Sequence, residues 1–237
     1  MGGIGRQESE QPMRMRAKRH LPERLERCSA ICIKEPETAK GKWNGIFQNE
    51  NPIHLEIGCG KGSFVIQMAQ KYPDVNFVAM EKDKNVLITA MEQTMKLEIQ
   101  NIRFIGDNAD RLEEFFAENE CARIYLNFSD PLPKSGYKKR RLTYDRYLIS
   151  YEKILVPQGE IHQKTDNTGL FEFSLNSFLN FGYKLKNISL DLHNSKFAEE
   201  NVVTEYEAKF SAMGMPIYRL EAVNPKGLHD GAHQTTV

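Results

Sequence analysis

Short apolar runs alternate with longer amphipathic segments through the middle of the chain. Four runs are typical of buried strands, at residues 53–57, 76–80, 102–105 and 124–128, with residues 159–164 as a weaker fifth. Helical spacing follows the first two runs. The first helical set contains Phe64, Ile66, Met68 and Ala69, and the second contains Val86, Leu87, Ala90, Met91, Met95 and Leu97. Strands that alternate with helices indicate parallel βαβ units with right-handed crossovers.

The pattern changes after Gly182. Residues 183–192 and 216–223 are long alternating segments, and no strong helical pattern lies between them. They predict an antiparallel hairpin at a sheet edge. We therefore expect an α/β fold with a doubly wound, mostly parallel, seven-stranded sheet and an antiparallel C-terminal hairpin. In such Rossmann-like sheets, ligands bind beyond the carboxyl ends of the strands.

The chain of 237 residues fits one α/β domain with modest extensions. We expect a disordered lead-in at residues 1–12, a basic arm at 13–50, the main domain at 51–224 and a mobile tail at 225–237. Trp43 is expected to anchor the arm on the core, since an indole buries a large area. There is no apolar run of membrane-spanning length and no apolar signal core, which favours a cytoplasmic protein without a membrane partner.

Charge and cysteine content narrow the chemistry further. There are 32 basic and 32 acidic residues, so a polyanionic partner must be recognised by local clusters. The cysteines form no CxxC pair and have no partner at metal-ligand spacing, so we expect reduced structural thiols and no metal site. His54, His162 and His193 show no triad or ligand spacing, and we expect them to be packed or loop residues.

A glycine turn, EIGCGKG at residues 56–62, follows the first predicted strand. Glycines let the backbone approach a ligand closely, although a tight turn without a ligand has the same composition. The spacing of Gly58 and Gly60 is not the G-x-G-x-x-G of dinucleotide folds. Glu56 precedes the turn, and a pyrophosphate would meet like charge there. Glu81 ends the next strand, where a ribose diol would lie. This charge pattern favours S-adenosylmethionine, which carries an ammonium and a sulfonium, over NAD.

Two further segments follow strands at the same sheet edge. Asp107 and Asn108 come after the third strand, where contacts to an adenine edge are usual, and they suit a helix cap equally well. Asp130 follows the fourth strand in a loop stiffened by Pro131 and Pro133. This loop lies at the topological switch region, which favours function over a simple turn.

The chain resembles the bacterial tRNA (guanine-N7-)-methyltransferases from about Met13 to Glu221. Seven motifs in order carry the resemblance: MRMR at 13–16, GKW at 41–43, EIGCGKG at 56–62, NFSDPLPK at 127–134, KRRLT at 139–143, KTDN at 164–167 and TEYEAKF at 204–210. The family usually has Trp where this chain has Leu132, and Asp where it has Asn108. Loss of the indole puts packing or stacking near the guanine in doubt, whereas an asparagine can still bond an adenine edge.

The resemblance implies a class I methyltransferase fold and a target guanosine in the tRNA variable loop. The cofactor side would be lined by Glu56, Glu81, Asn108 and Asp130. The substrate guanosine would be met by Lys134, Asp166, Thr204, Glu205, Tyr206 and Glu207. From its position after the fifth strand, Asp166 is also suited to cap a helix at residues 168–178.

Methylation of guanine N7 needs no base, because N7 carries a lone pair and no proton. Alignment and preorganised charge supply the acceleration, and we expect Asp130 to orient the guanine and stabilise its developing positive charge. The segment at 134–141 holds five cations and a tyrosine. It fits a phosphate-binding flap better than a solvated face, with RNA contacts at Lys138, Lys139, Arg140 and Arg141. Arg14, Arg16, Lys18, Arg19 and His20 form a second basic patch.

Three other functions compete with this prediction. A methyltransferase that acts on protein or a small molecule is disfavoured by the basic flap. A non-catalytic RNA-binding relative is disfavoured by the intact glycine turn and Asp130, and an NAD-dependent oxidoreductase by the glycine spacing and Glu56. The oligomeric state, monomer or homodimer, is left open by the sequence.

Overall fold

The computed structural model describes residues 18–227. The predicted lead-in, Arg14 and Arg16 of the predicted arm, and tail residues 228–237 lie outside the described residues. The strands are β1 (Ile53–Ile57), β2 (Asn76–Met80), β3 (Ile102–Ile105), β4 (Cys121–Asn127), β5 (Leu155–Thr165), β6 (Lys184–Ser189) and β7 (Tyr218–Val223). The α-helices are α1 (Leu21–Arg27), α2 (Trp43–Phe47), α3 (Ser63–Lys71), α4 (Lys84–Lys96), α5 (Leu112–Phe115), α6 (Asp145–Ile154), α7 (Thr168–Phe181) and α8 (Glu205–Ala212). None of these helices is long and apolar enough to cross a bilayer.

The seven strands form one sheet in the order β3-β2-β1-β4-β5-β7-β6. Strands β1 to β5 pair in parallel, and β7 runs antiparallel to both of its neighbours. The predicted α/β class and the mostly parallel sheet are confirmed. The order reverses at β1 and β4, so their carboxyl ends open a crevice for ligands.

The predicted C-terminal hairpin is correct in its pairing and wrong in its connection. Strands β6 and β7 are antiparallel neighbours, but β7 lies between β5 and β6. Residues 190–217 join them and include α8, which the sequence pattern did not indicate. The only buried side chain of α8 is that of Glu207, so the helix has no apolar stripe to reveal it.

Local sequence explains how α3 and α4 begin. Gly62 precedes α3 at φ 82°, and a Cβ there would lie 2.6 Å from the Ala90 Cβ of α4. Only glycine permits this backbone conformation and this close packing of the two helices. Asp83 caps α4, since its side chain accepts a hydrogen bond from the Asn85 N–H.

Two apolar layers cover the two faces of the sheet, one with α3 and α4 and the other with α2 and α5 to α7. Trp43 of α2 is fully buried, stacks on Phe116 at 5.2 Å and donates from its indole to the Phe115 carbonyl at 3.0 Å. The predicted anchoring of the arm by Trp43 is confirmed. The Ile33 N–H also bonds the Phe104 carbonyl of β3 at 2.9 Å, so the described part of the arm packs on the domain.

Candidate active site

Two cavities lie at the carboxyl ends of the parallel strands. The first has a volume of about 470 Å³ and the second about 460 Å³. Gly58, Asn127 and Phe128 line both, so the cavities meet along the ends of β1 and β4. Glu81, Asn108 and Asp130 line the first, and Glu56, Gly60 and Tyr206 line the second. The topology thus brings together residues that lie far apart in the sequence.

Glu56 is buried at the end of β1 and points into the second cavity. Its Oε1 accepts a hydrogen bond from Asn127 Nδ2 at 2.9 Å, whereas its Oε2 has no partner among the described residues. Burial raises the pKa of this carboxyl from 4.5 to about 7, and the Asn127 bond and the nearby Lys164 charge oppose the rise. A buried carboxylate oxygen without a partner is costly, and a cationic ligand would satisfy it.

The next two strands present polar groups to the first cavity. Glu81 follows β2, and its carboxylate accepts from the Gly60 N–H at 3.3 Å and the Asp83 N–H at 2.9 Å. Asn108 lies on the cavity wall and also caps a short 3-10 helix, because its Oδ1 accepts from the Asp110 N–H at 3.0 Å. The cap interpretation of Asn108 is confirmed, and its contact with a cofactor stays a prediction.

The loop after β4 enters the cleft through two unusual backbone conformations. Phe128 and Leu132 have φ angles of 51° and 44°, which non-glycine residues rarely adopt. The Phe128 N–H donates to the Lys164 carbonyl of β5 at 2.8 Å, which fixes the start of the loop. Asp130 is exposed and lines the first cavity. Ser129 lines the same cavity with a buried hydroxyl that has no partner among residues 18–227.

Arg141 holds this loop from behind. Its Nε donates to the Pro131 carbonyl at 2.9 Å and its Nη2 to the Leu132 carbonyl at 3.2 Å. Its guanidinium lies 4.6 Å from the centre of the Phe173 ring. The predicted RNA contact at Arg141 therefore competes with a structural role, since two of its five N–H donors already bind the loop.

The remaining cations of the predicted flap are exposed. Lys138, Lys139 and Arg140 lie on a 3-10 helix, Ser135–Arg140, and Arg140 also lines the first cavity. Lys134 precedes this helix and is exposed, and it lines neither cavity. The geometry leaves these four side chains free to meet phosphates, and that contact stays a prediction.

The first turn of α8 forms the far wall of the second cavity. Thr204 and Glu207 form a reciprocal capping box. The Tyr206 ring is 46% exposed and packs against Phe128 at 5.0 Å and Phe210 at 4.3 Å. Burial raises the pKa of the Tyr206 phenol, and nearby Asp166 and Asp130 raise it further. The charges of both carboxylates thus act on the Tyr206 phenol.

Two predicted substrate residues of this segment are buried, and of the two only Thr204 lines the second cavity. Glu207 is fully buried, and its carboxylate bonds Lys164 Nζ at 2.7 Å and Asn201 Nδ2 at 2.6 Å. Thr204 is buried at the helix cap. Their recorded hydrogen bonds stay within the fold, and substrate contacts by Thr204 and Glu207 stay predictions. Glu205 and Tyr206 are the exposed members of this segment.

Asp166 lies just after β5 and does not cap α7. That cap is Asn167, whose Oδ1 accepts from the Leu170 N–H at 2.8 Å, so the alternative interpretation of Asp166 is wrong. Asp166 is half-buried and lines neither cavity. Its charge raises the pKa of the Tyr206 phenol, and substrate binding by Asp166 stays a prediction.

Glu160, His162 and Glu221 have ligand atoms within 4.8 Å of one another, as a metal site would require. Cations already pair with the carboxylates, however. Arg123 lies 2.8 Å from Glu160, Lys186 contacts both carboxylates, and Arg219 contacts Glu221. Burial also lowers the pKa of His162. This cluster is a charge network on the sheet, and the expected packed role of His162 agrees with it.

Comparisons with known proteins bear on this site. A family model described as "Putative methyltransferase" matches residues 50–220. The chain is 49% identical to a tRNA (guanine-N(7)-)-methyltransferase of Bacillus subtilis over 88% of its length and 98% of the relative's. It is 50% identical to the Geobacillus sp. protein of the same name, over 90% of its length and 96% of that relative's. The chain belongs to the tRNA (guanine-N(7)-)-methyltransferase family.

Solved structures support the fold of this family member. A 16S rRNA methyltransferase superposes with a TM-score of 0.59 at 13% identity, over 78% of this chain and 93% of the other. A methyltransferase described as antibiotic-related gives 0.56 at 13% identity, over 77% and 92%. At this identity the likeness shows the class I methyltransferase fold alone. The prediction of an enzyme of this family is confirmed, and the competing oxidoreductase is ruled out.

Three residues of the site escaped the sequence prediction. Asn127 lines both cavities and holds Glu56, Phe128 lies between the cavities, and Lys164 joins β5 to α8. Asn127 and Phe128 stand directly before Asp130 at a strand end, and that position could have identified them. Lys164 opens the KTDN motif, but its role could not be predicted locally, because its partners lie about forty residues later in the sequence.

Proposed function

We propose that this chain transfers the methyl group of S-adenosylmethionine to N7 of a guanosine in the variable loop of tRNA. The observation that carries the proposal is the buried Oε2 of Glu56, which has no hydrogen-bond partner among residues 18–227 and lies in a cavity that meets the cavity containing Asp130. The cofactor would extend across both cavities, with its cationic end at Glu56 and its ribose and adenine at Glu81 and Asn108, and the exposed Asp130 carboxylate lies where a base could enter. Membership of the tRNA (guanine-N(7)-)-methyltransferase family is the reason for proposing tRNA as the substrate and guanine as the methylated base. The cytoplasmic location expected from the sequence stays a prediction.

The residues present fit the cofactor. S-adenosylmethionine, when bound, supplies an electrophilic methyl group attached to a positively charged sulfur. The Glu56 carboxylate would accept its ammonium group, and Gly58 and Gly60 would let the backbone approach it. Glu81 would accept from its ribose hydroxyls, and Asn108 would bond its adenine edge.

The chain itself has little proton chemistry to perform. Guanine N7 carries a lone pair and no proton, so no residue has to act as a base. The cofactor would supply the methyl carbon to the N7 lone pair, its sulfur would keep the electrons of the broken sulfur–carbon bond, and the chain would have to accommodate the positive charge gained by the guanine. The Asp130 carboxylate would hold the base and stabilise that charge. The backbone anchors of its loop supply the preorganisation that such stabilisation requires.

The guanine would stack on the exposed face of Tyr206, whose ring Phe128 and Phe210 support from the protein side. Base–aromatic stacking is a common means of holding an unstacked nucleotide. Asp166 lies close by and would bond the base or its ribose. The exposed cations Lys138, Lys139 and Arg140 would bind backbone phosphates.

The test is transfer of labelled methyl groups from S-adenosylmethionine to unmodified tRNA, followed by nucleoside analysis and mapping of the labelled position. The proposal expects 7-methylguanosine in the variable loop. Label in another base would overturn the assignment to N7, and label in 7-methylguanosine elsewhere would overturn the variable loop alone.

A further inference from the structure

Lys164 is a buried lysine at the carboxyl end of β5, beside Asn127 of β4 in the sheet register. Its ammonium group donates to three acceptors of a single segment. The distances are 3.0 Å to Asn201 Oδ1, 2.9 Å to the Val202 carbonyl and 2.7 Å to Glu207 Oε2. An ammonium has three donors, so all of them are directed to residues 201–207.

Glu207 completes the attachment from the side of α8. Its Oε2 also accepts from the Thr204 N–H at 3.3 Å, and its Oε1 accepts from Asn201 Nδ2 at 2.6 Å. The carboxylate therefore caps α8 and pairs with Lys164 at once. Exposed side chains also reach this segment, from Gln67 Nε2 to the Val203 carbonyl at 3.1 Å and from Lys61 Nζ to Glu205 at 3.3 Å. The ion pair is nevertheless the buried attachment, since Glu207 is the only buried side chain of α8.

The main chain of Lys164 supports the opposite wall of the cleft. Its carbonyl accepts from the Phe128 N–H at 2.8 Å, at the start of the loop that contains Asp130. The Phe128 ring in turn contacts the exposed Tyr206 ring at 5.0 Å. One residue thus holds the loop after β4 through its backbone and the first turn of α8 through its side chain.

We infer that Lys164 is a positioning residue, which through its buried pair with Glu207 fixes Tyr206 against Phe128 and so shapes the wall that receives the base. The inference rests on the proposed function, since it assigns a role within that site. A buried ion pair seldom stabilises a fold more than apolar residues of the same size, because both charges lose their hydration. The hydrogen bonds of one ammonium group are directional, so they specify where the attached segment lies. Contacts between two apolar side chains are not directional and would specify its position less strictly.

The test uses the double variant Lys164→Met/Glu207→Gln, which removes both charges of the buried pair. The other neighbour of Glu207, His193 at 3.1 Å, is partly exposed. The control Lys153→Met/Glu113→Gln removes the 2.6 Å ion pair between α6 and α5 on the surface. Net charge is unchanged in both. Thermal unfolding, cofactor affinity by calorimetry and steady-state kinetics on unmodified tRNA are measured at about pH 8.5, where Glu56 is ionised.

The inference expects the double variant to bind S-adenosylmethionine within about threefold of wild type, while kcat/KM for tRNA falls at least about tenfold, the size of a lost stacking contact. The control retains both values. A lower Tm with unchanged kcat/KM, measured well below the Tm, would mean that the ion pair only stabilises the fold and would overturn the inference. If the double variant does not fold, Lys164→Arg keeps the charge of the pair but replaces the three-donor ammonium that reaches residues 201–207 by a planar guanidinium. Unchanged kcat/KM in that variant overturns the inference equally.

Failure of the proposed function is distinguishable from failure of this inference. Wild-type protein that makes no 7-methylguanosine refutes the proposed function alone. Hydrogen exchange at residues 205–212 then decides the inference without any substrate. Faster exchange there in the double variant than in the control supports the attachment, and equal exchange overturns it.

Discussion

Glu56 combines a cost to stability with its proposed binding of the cofactor, so Glu56→Gln tests both in one variant. The amide has nearly the same shape, and its oxygen can still accept from Asn127. The variant removes only the charge that burial penalises. Without cofactor it should therefore be more stable than wild type above neutral pH, although it should bind cofactor poorly.

The magnitude follows from the pKa of the Glu56 carboxyl. Its rise from 4.5 to about 7 corresponds to about 3 kcal/mol, since one pKa unit is worth about 1.4 kcal/mol. Because the folded-state pKa is the higher one, the folded protein retains a proton that the unfolded chain loses. Wild-type stability therefore falls as pH rises from about 4.5 to about 7, and the loss is complete above that range. The advantage of Glu56→Gln should grow from below about 1 kcal/mol near pH 5 to about 3 kcal/mol at pH 8.

Chemical denaturation across this pH range measures the difference directly, and scanning calorimetry should show a Tm about 6–12 °C higher at pH 8 for a chain of this size. Loss of a charged hydrogen-bond acceptor should weaken S-adenosylmethionine binding about 100-fold. Glu172→Gln, at an exposed position of α7, is the matched control and should change neither property. A stability difference that stays flat from pH 5 to pH 8, or cofactor affinity within about threefold of wild type, would refute the reasoning.

Three further outcomes are expected. Arg141→Ala should lower kcat and leave the salt dependence of tRNA binding unchanged, because Arg141 holds the loop. Lys139→Ala should reduce the slope of that salt dependence by about one counterion and leave kcat unchanged. The reverse result would show that Arg141 is an RNA contact. Trp43→Ala should cost about 3–5 kcal/mol in denaturant unfolding, since it leaves a large cavity and frees the Phe115 carbonyl, and a loss below about 1 kcal/mol would contradict that packing. Tyr206→Ala should raise KM for tRNA about 5- to 150-fold with cofactor affinity unchanged, and Tyr206→Phe should retain the stacking; equal losses in both variants would point to the hydroxyl instead.

Strands of the fold were predictable because the local pattern of apolar residues indicates them. Strands β1, β2 and β3 are short, mostly apolar runs, and their observed boundaries are the predicted ones. Helix α8 was not predictable in this way. Its buried residue is a glutamate, and a helix held by one ion pair instead of an apolar stripe carries no periodic signal.

In the site, too, some features follow from the local sequence and others depend on the fold. The charge of Glu56 beside the glycine turn is enough to predict a cationic ligand, because burial and charge at that position follow from the strand pattern. The different orientations of Arg141 and the neighbouring cations could not be predicted from the sequence. A run of cations shows only charge, and the fold decides that Arg141 turns back to the Pro131 and Leu132 carbonyls while the others stay exposed.

The central claim is that Asp130 stabilises positive charge on a guanine that reacts without a base. The most direct measurement is the single-turnover rate of 7-methylguanosine formation in tRNA by wild type and Asp130→Asn, with cofactor and enzyme in excess. The account predicts a fall of at least about 100-fold, of the size that loss of one preorganised stabilising group produces, at every pH from about 7 to 9. A rate within about threefold of wild type would contradict the account. A wild-type rate that rises tenfold per pH unit across that range would also contradict it, because it would reveal a base that the mechanism does not contain.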